Sequence, residues 1–376
     1  MPTIVPRSTT LALLGCKIFF AAFFQFLTFP FRWHHWNGPP VLYKDVIFAA
    51  VRTWVSNISI AESRYINKLT GEAYQDFCRK TNQAPETLIL KENDVKGHWI
   101  GKRDAKVVIL YFHGGGYTQP CTIEHMQYLN RLVTDVNTIP HGNSSISILL
   151  LEYTLAPEAQ FPTQLKQACA LLSWLLNEGK RAAGDIMIAG DSAGGGLALS
   201  LLSHLRHPHL DIQTLTLHQP LKGIFLFSPW VSYDTEFESY PRNAFKDALV
   251  PDVLRKWAGM YLGTVDGEVD PGAVTGGNNY NEPLLANASW WKGMHDVVEY
   301  VWLFGGEDEV FIDSLRAFGV KFLEGWMAGG GVEGKVEFQF AERESHVGPI
   351  LDVLLRYKEK GQVQLALEKW LNELLA

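Results

Sequence analysis

Three observations predict an α/β fold with a mostly parallel central sheet covered by helices. Short apolar runs of β type recur between residues 107 and 340, with longer helical stretches between them, the rhythm of βαβ units. These runs are apolar throughout and do not alternate, as strands buried on both faces require. The chain has 376 residues, 47% of them hydrophobic and 19% charged, so it can bury a sizeable core. That composition excludes a disordered tail, a coiled coil and a collagen-like repeat.

The first element is apolar. Leu11 to Phe29 reads LALLGCKIFFAAFFQFLTF, interrupted only by Lys17, Gln25 and Thr28. Its length is near the roughly 20 residues that cross a bilayer. A lysine at the bilayer centre costs about 2.5 kcal/mol or more, although one near the end can snorkel. The run exceeds the usual core of a signal peptide, and no A-x-A cleavage site precedes Phe29-Pro30-Phe31-Arg32-Trp33. The expectation is a membrane anchor or an interfacial helix, the alternative being an apolar helix packed on the protein body. A membrane-associated protein, single-pass in the endoplasmic reticulum, is the matching localisation, and a cytoplasmic one the alternative. Arg7 flanks one side and Arg32, His34 and His35 the other, which leaves orientation open. Sequons at Asn57, Asn143 and Asn287 would permit glycosylation in a lumenal setting.

After Pro39-Pro40, VIFAAVRTWV and AYQDFCRK carry helical periodicity up to about Pro85. Thr87 to Leu90 is strand-like. The spacing then predicts strands at Val107 to Phe112, Ile146 to Leu151, Ile186 to Ala189, Gly223 to Phe227, Tyr300 to Phe304 and Val336 to Phe340. Helices are expected at Thr163 to Asn177 and Ser314 to Trp326. From about Val231 to Asn287 the rhythm breaks: DVLRKWAGMYL is helix-like and no strong strand appears, the pattern of an insertion above the sheet.

Charge and cysteines remove other classes. A formal charge of -7 without a basic patch argues against nucleic acid as a partner. Cys16, Cys78, Cys121 and Cys169 form no C-x-x-C pair, so neither a zinc cluster nor a dense disulfide framework is indicated.

The chemistry sits in the turns after the strands. The strand IMIAG runs into Asp191-Ser192-Ala193-Gly194-Gly195-Gly196 and then an apolar helix, giving G-x-S-x-G at Gly190, Ser192 and Gly194. A serine on so sharp a strand-to-helix turn needs small neighbours, because a Cβ at either glycine would collide with adjacent backbone. After VVILYF comes His113-Gly114-Gly115-Gly116-Tyr117, whose backbone N–H groups, with that of Ala193, can face a negative oxygen. A nucleophilic serine needs an acid and then a base later in the chain. Glu307-Asp308-Glu309 follows the strand YVWLF, and His346 follows VEFQF. Of the acids, Asp308 is the expected partner of His346, with Glu307 next.

His113-Gly114-Gly115-Gly116, Glu152-Tyr153-Thr154-Leu155-Ala156-Pro157-Glu158 and Gly190-Asp191-Ser192-Ala193-Gly194-Gly195, in this order, resemble the hormone-sensitive-lipase-like branch of the α/β-hydrolases. Ser228-Pro229-Trp230 is similar to a further feature of that family. Thr154 stands where an arginine is usual, and Glu307-Asp308-Glu309-Val310-Phe311 replaces the more usual D-P-L-x-D.

The resemblance implies the α/β-hydrolase fold with a helical cap, and a carboxylester hydrolase with Ser192 as nucleophile, Asp308 as acid and His346 as base. Gly114, Gly115 and Ala193 would line the oxyanion hole. The implied organisation is an anchor or interfacial helix over residues 1–30, N-terminal cap helices over 31–85, and a catalytic domain over 86–376 with its cap insertion at about 231–287. The implied partner is a small hydrophobic ester, with membrane association through residues 11–29 and the oligomeric state left open. No metal or organic cofactor is implied. Relatives with a hydrophobic N-terminal anchor resemble steryl acetyl hydrolases. Rival readings are acyl transfer or hydrolytic tailoring of a natural product, and a ligand-binding protein on a hydrolase scaffold.

Overall fold

The computed structural model describes residues 8–32, 38–39, 41–139, 145–265, 269–357 and 359–376. Arg7, His34, His35 and the Asn143 sequon lie outside them. In chain order the helices and strands are α1 (Ser8–Arg32), α2 (Leu42–Asn57), α3 (Ile60–Ile66), α4 (Thr70–Lys80), β1 (Thr87–Leu90), β2 (Val95–Ile100), β3 (Val107–Phe112), α5 (Ile123–Asn137), β4 (Ile146–Glu152) and α6 (Thr163–Asn177). They continue with β5 (Ile186–Asp191), α7 (Ala193–Arg206), β6 (Gly223–Phe227), α8 (Ser239–Asn243), α9 (Pro251–Leu262), β7 (Val301–Gly306), α10 (Ile312–Ala328), β8 (Val336–Ala341), α11 (Gly348–Leu354) and α12 (Gln362–Leu375).

The eight strands form one sheet in the order β1-β2-β4-β3-β5-β6-β7-β8. From β4 to β8 all neighbours are parallel, and β1 and β2 join antiparallel at one edge. β3 shows why an all-apolar run makes a central strand. Val108, Leu110 and Phe112 enter the core on one face, and Val107, Ile109 and Tyr111 enter the core on the other. Burying each such side chain stabilises the fold by roughly 1.5–3 kcal/mol.

The sequence expectation misses β2, VKGHWI, as a strand of its own, because Lys96 and His98 break the apolar pattern. Its partner strand supplies the missing chemistry: Glu152 on β4 accepts from His98 at 2.6 Å and pairs with Lys96 at 3.2 Å.

Between β6 and β7 the chain forms α8 and α9, with no strand among the described residues. α9 starts at Pro251, whose missing N–H costs nothing in a first turn, and ends at Gly263 in the left-handed conformation.

The two N-terminal helices form an antiparallel pair. Lys17 Nζ donates to Asn57 Oδ1 and Gln25 Nε2 to the buried Asp45, both at 2.6 Å. Lys17 and Gln25 of α1 therefore meet α2, while Phe19, Phe20, Phe23, Phe24, Phe26 and Leu27 are exposed. Thr9–Phe31 is long and apolar enough to cross a membrane by length and composition.

Candidate active site

β5 delivers Ser192 at the carboxyl edge of the sheet. Its backbone takes φ 51° and ψ −120°, a conformation a non-glycine residue holds only when its surroundings impose it. They do so here. The N–H of Ser192 donates to the Phe227 carbonyl at 2.9 Å, and its own carbonyl accepts from Trp230 at 2.8 Å and Gly196 at 3.0 Å. A Cβ on Gly194 would strike the carbonyl oxygen of Phe112, so only glycine lets α7 start this close to β3.

The loop after β3 lies against the serine: a Cβ on Gly114 would contact Ser192 Cβ at 3.1 Å. Among the described residues the N–H groups of Gly114, Gly115 and Ala193 donate to no protein acceptor. The loop is pegged by His113, whose buried ring stacks on Tyr153 at 4.2 Å and hydrogen-bonds the Gly114 carbonyl at 2.8 Å. Burial lowers the His113 pKa to about 4, so the ring is neutral at physiological pH. Tyr153 donates its hydroxyl to the His113 carbonyl at 2.8 Å.

Beneath Ser192, the buried Asp191 carboxylate accepts from Tyr111 at 2.9 Å and lies 3.4 Å from His125 Nε2. Burial alone would raise its pKa, but the charge and hydrogen bond of His125 outweigh that and hold it below the usual carboxylate range.

The acidic turn after β7 overturns the expected pairing of Asp308 with His346. Glu307 pairs with Arg316 and Asp308 with Lys246. Glu309, fully buried, accepts from His346 Nδ1 at 2.8 Å through Oε2 and from the Gly306 N–H at 2.9 Å through Oε1. The physical reason is the turn itself: it directs the first two carboxylates to Arg316 and Lys246 and the third inward to His346. A sequence signal exists. Placing Glu309 first in the D-P-L-x-D pattern puts Asp313 at its last position.

His346 is buried at the end of the loop after β8, with the Phe311 ring edge-on at 5.0 Å. The next N–H, from Val347, donates to Ser228 Oγ at 3.1 Å. Ser228 directly follows Phe227, whose carbonyl holds the Ser192 N–H. The Phe227 carbonyl at the end of β6 and the Ser228 hydroxyl just after it thus tie the serine turn to the histidine loop. Burial works against a charged imidazole, but the Glu309 hydrogen bond and charge, with Asp247 and Asp191 behind them, raise the His346 pKa above its ordinary value. Burial pushes Glu309 up in turn, and its bond to His346 opposes that.

The insertion supplies the other wall. A Cβ on Gly116 would run into the Trp257 ring, and Tyr261 stacks on Tyr117 with ring centroids 3.7 Å apart. Trp257 and Tyr261 both belong to α9, so that helix packs aromatic side chains on the glycine loop, Tyr261 fully buried and Trp257 partly exposed.

Chemically, the arrangement combines a strained serine, free N–H groups beside it, and a buried histidine oriented by a carboxylate. Among the described residues no cluster of His, Cys, Asp or Glu could hold a metal ion. The four cysteines are free thiols.

The profile of a family described as "alpha/beta hydrolase fold" matches residues 109–347. An acetyl-hydrolase of Streptomyces hygroscopicus is 29% identical over 171 residues, 45% of this chain and 51% of that protein. Steryl acetyl hydrolase 1 of Saccharomyces cerevisiae is 27% identical over 129 residues, 33% of this chain and 27% of that protein. The first relatives matched align over about half their own length. An esterase of the bacterial hormone-sensitive lipase family has the same fold, with a TM-score of 0.61 at 22% identity over 89% of this chain and 99% of that one.

Proposed function

The chain belongs to the alpha/beta hydrolase fold family, and on that premise we propose that it is a serine carboxylester hydrolase acting on a small hydrophobic ester. One observation carries the reading: a buried His346 bonded to Glu309 at 2.8 Å, on the same sheet edge as Ser192 and its free N–H groups. Its similarity to an acetyl-hydrolase and a steryl acetyl hydrolase supports the same chemistry.

In this reading Ser192 Oγ attacks the ester carbonyl as His346 Nε2 takes its proton. The carbonyl oxygen becomes an oxyanion held by the N–H groups of Gly114, Gly115 and Ala193. His346 then returns the proton to the departing alkoxide as the C–O bond breaks, leaving an acyl-Ser192. Water attacks that acyl group as His346 takes its proton; the bond from the acyl carbon to Ser192 Oγ then breaks, His346 returns the proton to Oγ, and the acid leaves. Glu309 holds the Nδ1–H tautomer throughout and stabilises the imidazolium. The partly exposed Trp257 ring, packed against Gly116, favours an apolar substrate over the glycine loop.

The organisation proposed is a catalytic domain over residues 86–376, with caps from residues 31–85 and 231–287. The exposed aromatic face of α1 supports membrane association, a single layer of phenylalanines set into lipid while the polar positions stay on α2.

Hydrolysis of a p-nitrophenyl ester series, acetyl to long acyl, tests the function. Ser192→Ala should lower kcat on the order of 10⁶-fold. An intact protein inert to every ester, or a variant as active as its parent, would remove the proposal.

A further inference from the structure

The turn that carries Glu309 is held from outside. Ser239 Oγ donates to the Val310 carbonyl at 2.6 Å, and Asn243 Nδ2 donates to the carbonyls of Glu307 at 2.9 Å and Glu309 at 2.8 Å. Asp247 completes the clamp: its Oδ2 accepts the Val310 N–H at 2.8 Å, while Oδ1 accepts from Ala248 at 2.6 Å and Leu249 at 3.4 Å. All of these groups come from the segment between β6 and β7. Arg52 of α2 braces that segment in turn, donating to the Asp247 carbonyl at 2.6 Å.

Asp247 is fully buried. An uncharged side chain could cap a turn without bringing an ion out of water, a cost that a carboxylate meets only with several hydrogen bonds or a partner cation. Three backbone N–H groups and the nearby Arg52 charge meet part of that cost, and the further buried cation that forms during the proposed reaction is the His346 imidazolium. We infer that Asp247 is a positioning residue for the hydrolytic site: one oxygen fixes the turn that aims Glu309, and its charge sits as a second anion behind His346. This inference rests on the hydrolase reading above.

The charges around the pair are few. His346 is faced by Glu309 from the acidic turn, Asp247 from the insertion and Asp191 from β5. Asp247 is faced by His346, by Glu309, by the Tyr240 hydroxyl and by Arg52. Burial raises the Asp247 pKa, while His346 and the three backbone N–H groups oppose that. Removing the Asp247 charge should therefore lower the His346 pKa. Removing Arg52, a cation, should leave it unchanged or raise it. A merely structural clamp predicts that both changes act alike.

The test uses the full-length chain with Asp247→Asn and Arg52→Met. It reads kcat and KM for p-nitrophenyl butyrate against pH, and the His346 titration by NMR of ring-labelled histidine. Asp247→Asn should lower kcat about tenfold with KM nearly unchanged, and should move the acid limb and the His346 titration down by about one pH unit. Arg52→Met should show no downward shift. Asp247→Asn with an unmoved titration, or both variants shifting downward together, would overturn the inference. If Asp247→Asn does not fold, Arg52→Met decides: a fall in the His346 titration overturns the inference, and a value at or above wild type upholds it. If turnover proves independent of Ser192, the hydrolase reading fails, and the NMR titration still decides the role of Asp247.

Discussion

Replacing Glu309 with glutamine separates the three acids of the turn. In the wild type Oε1 accepts the Gly306 N–H and Oε2 accepts His346 Nδ1–H. A glutamine has one acceptor oxygen for these two donors. With its oxygen on Gly306, its NH2 meets Nδ1 and forces the imidazole proton onto Nε2, where it blocks the acceptor that Ser192 needs. With the amide reversed, NH2 faces the Gly306 N–H and leaves a buried donor unpaired, at about 1–3 kcal/mol. That preference makes the productive tautomer a minority by roughly 5- to 150-fold at 1.4 kcal/mol per tenfold. Loss of the anion beside the imidazolium adds to it. The expected fall in kcat is ~10³–10⁴, the scale seen when a triad acid becomes an amide.

Asp308→Asn should lower kcat far less than Glu309→Gln does, because Asp308 is bonded to Lys246 at 2.8 Å in a half-buried pair and not to His346. The assay is kcat and KM for p-nitrophenyl butyrate on all three single variants, with Glu307→Gln as a second control. Glu309→Gln retaining more than a tenth of wild-type kcat, or Asp308→Asn falling as far, would refute the assignment.

The raised His346 pKa sets the pH profile. Neutral histidine is the active form, so kcat/KM should fall as pH drops through a midpoint above the ordinary value of about 6.5; a midpoint below that value would contradict the Glu309 and Asp247 environment. On α1, Phe20 and Phe24 are each 65% exposed and Phe23 47%. Their triple change to serine should weaken sedimentation with phosphatidylcholine vesicles by at least 10²-fold, since each buried phenylalanine contributes roughly 1.5–3 kcal/mol, and unchanged sedimentation would remove the proposed membrane face.

What the sequence reveals follows from where each property is encoded. VVILYF reads as a central strand because burial on both faces leaves no position for a polar side chain. VKGHWI does not, because its lysine and histidine are answered by Glu152 on a strand more than 50 residues later. Ser192 and the glycine loop are legible for a local reason: Gly194 and Gly116 are fixed by close approaches that tolerate no Cβ, so the residue types carry the geometry.

The acid is different. Glu307, Asp308 and Glu309 are consecutive carboxylates on one turn, and local sequence does not say which of them points inward. That direction is set by groups far away in the chain: Lys246 and Arg316 draw two of them outward, while Asn243 and Asp247 hold the backbone that turns the third toward His346. α1 teaches the same lesson. Its length and phenylalanines are visible in the sequence, but Lys17 and Gln25 read as flaws in an apolar span until Asn57 and Asp45 stand opposite them. With those partners in place the polar positions become the inner face of a helix pair. That arrangement weighs against a lone spanning helix, because crossing the bilayer would break both hydrogen bonds or carry α2 with it.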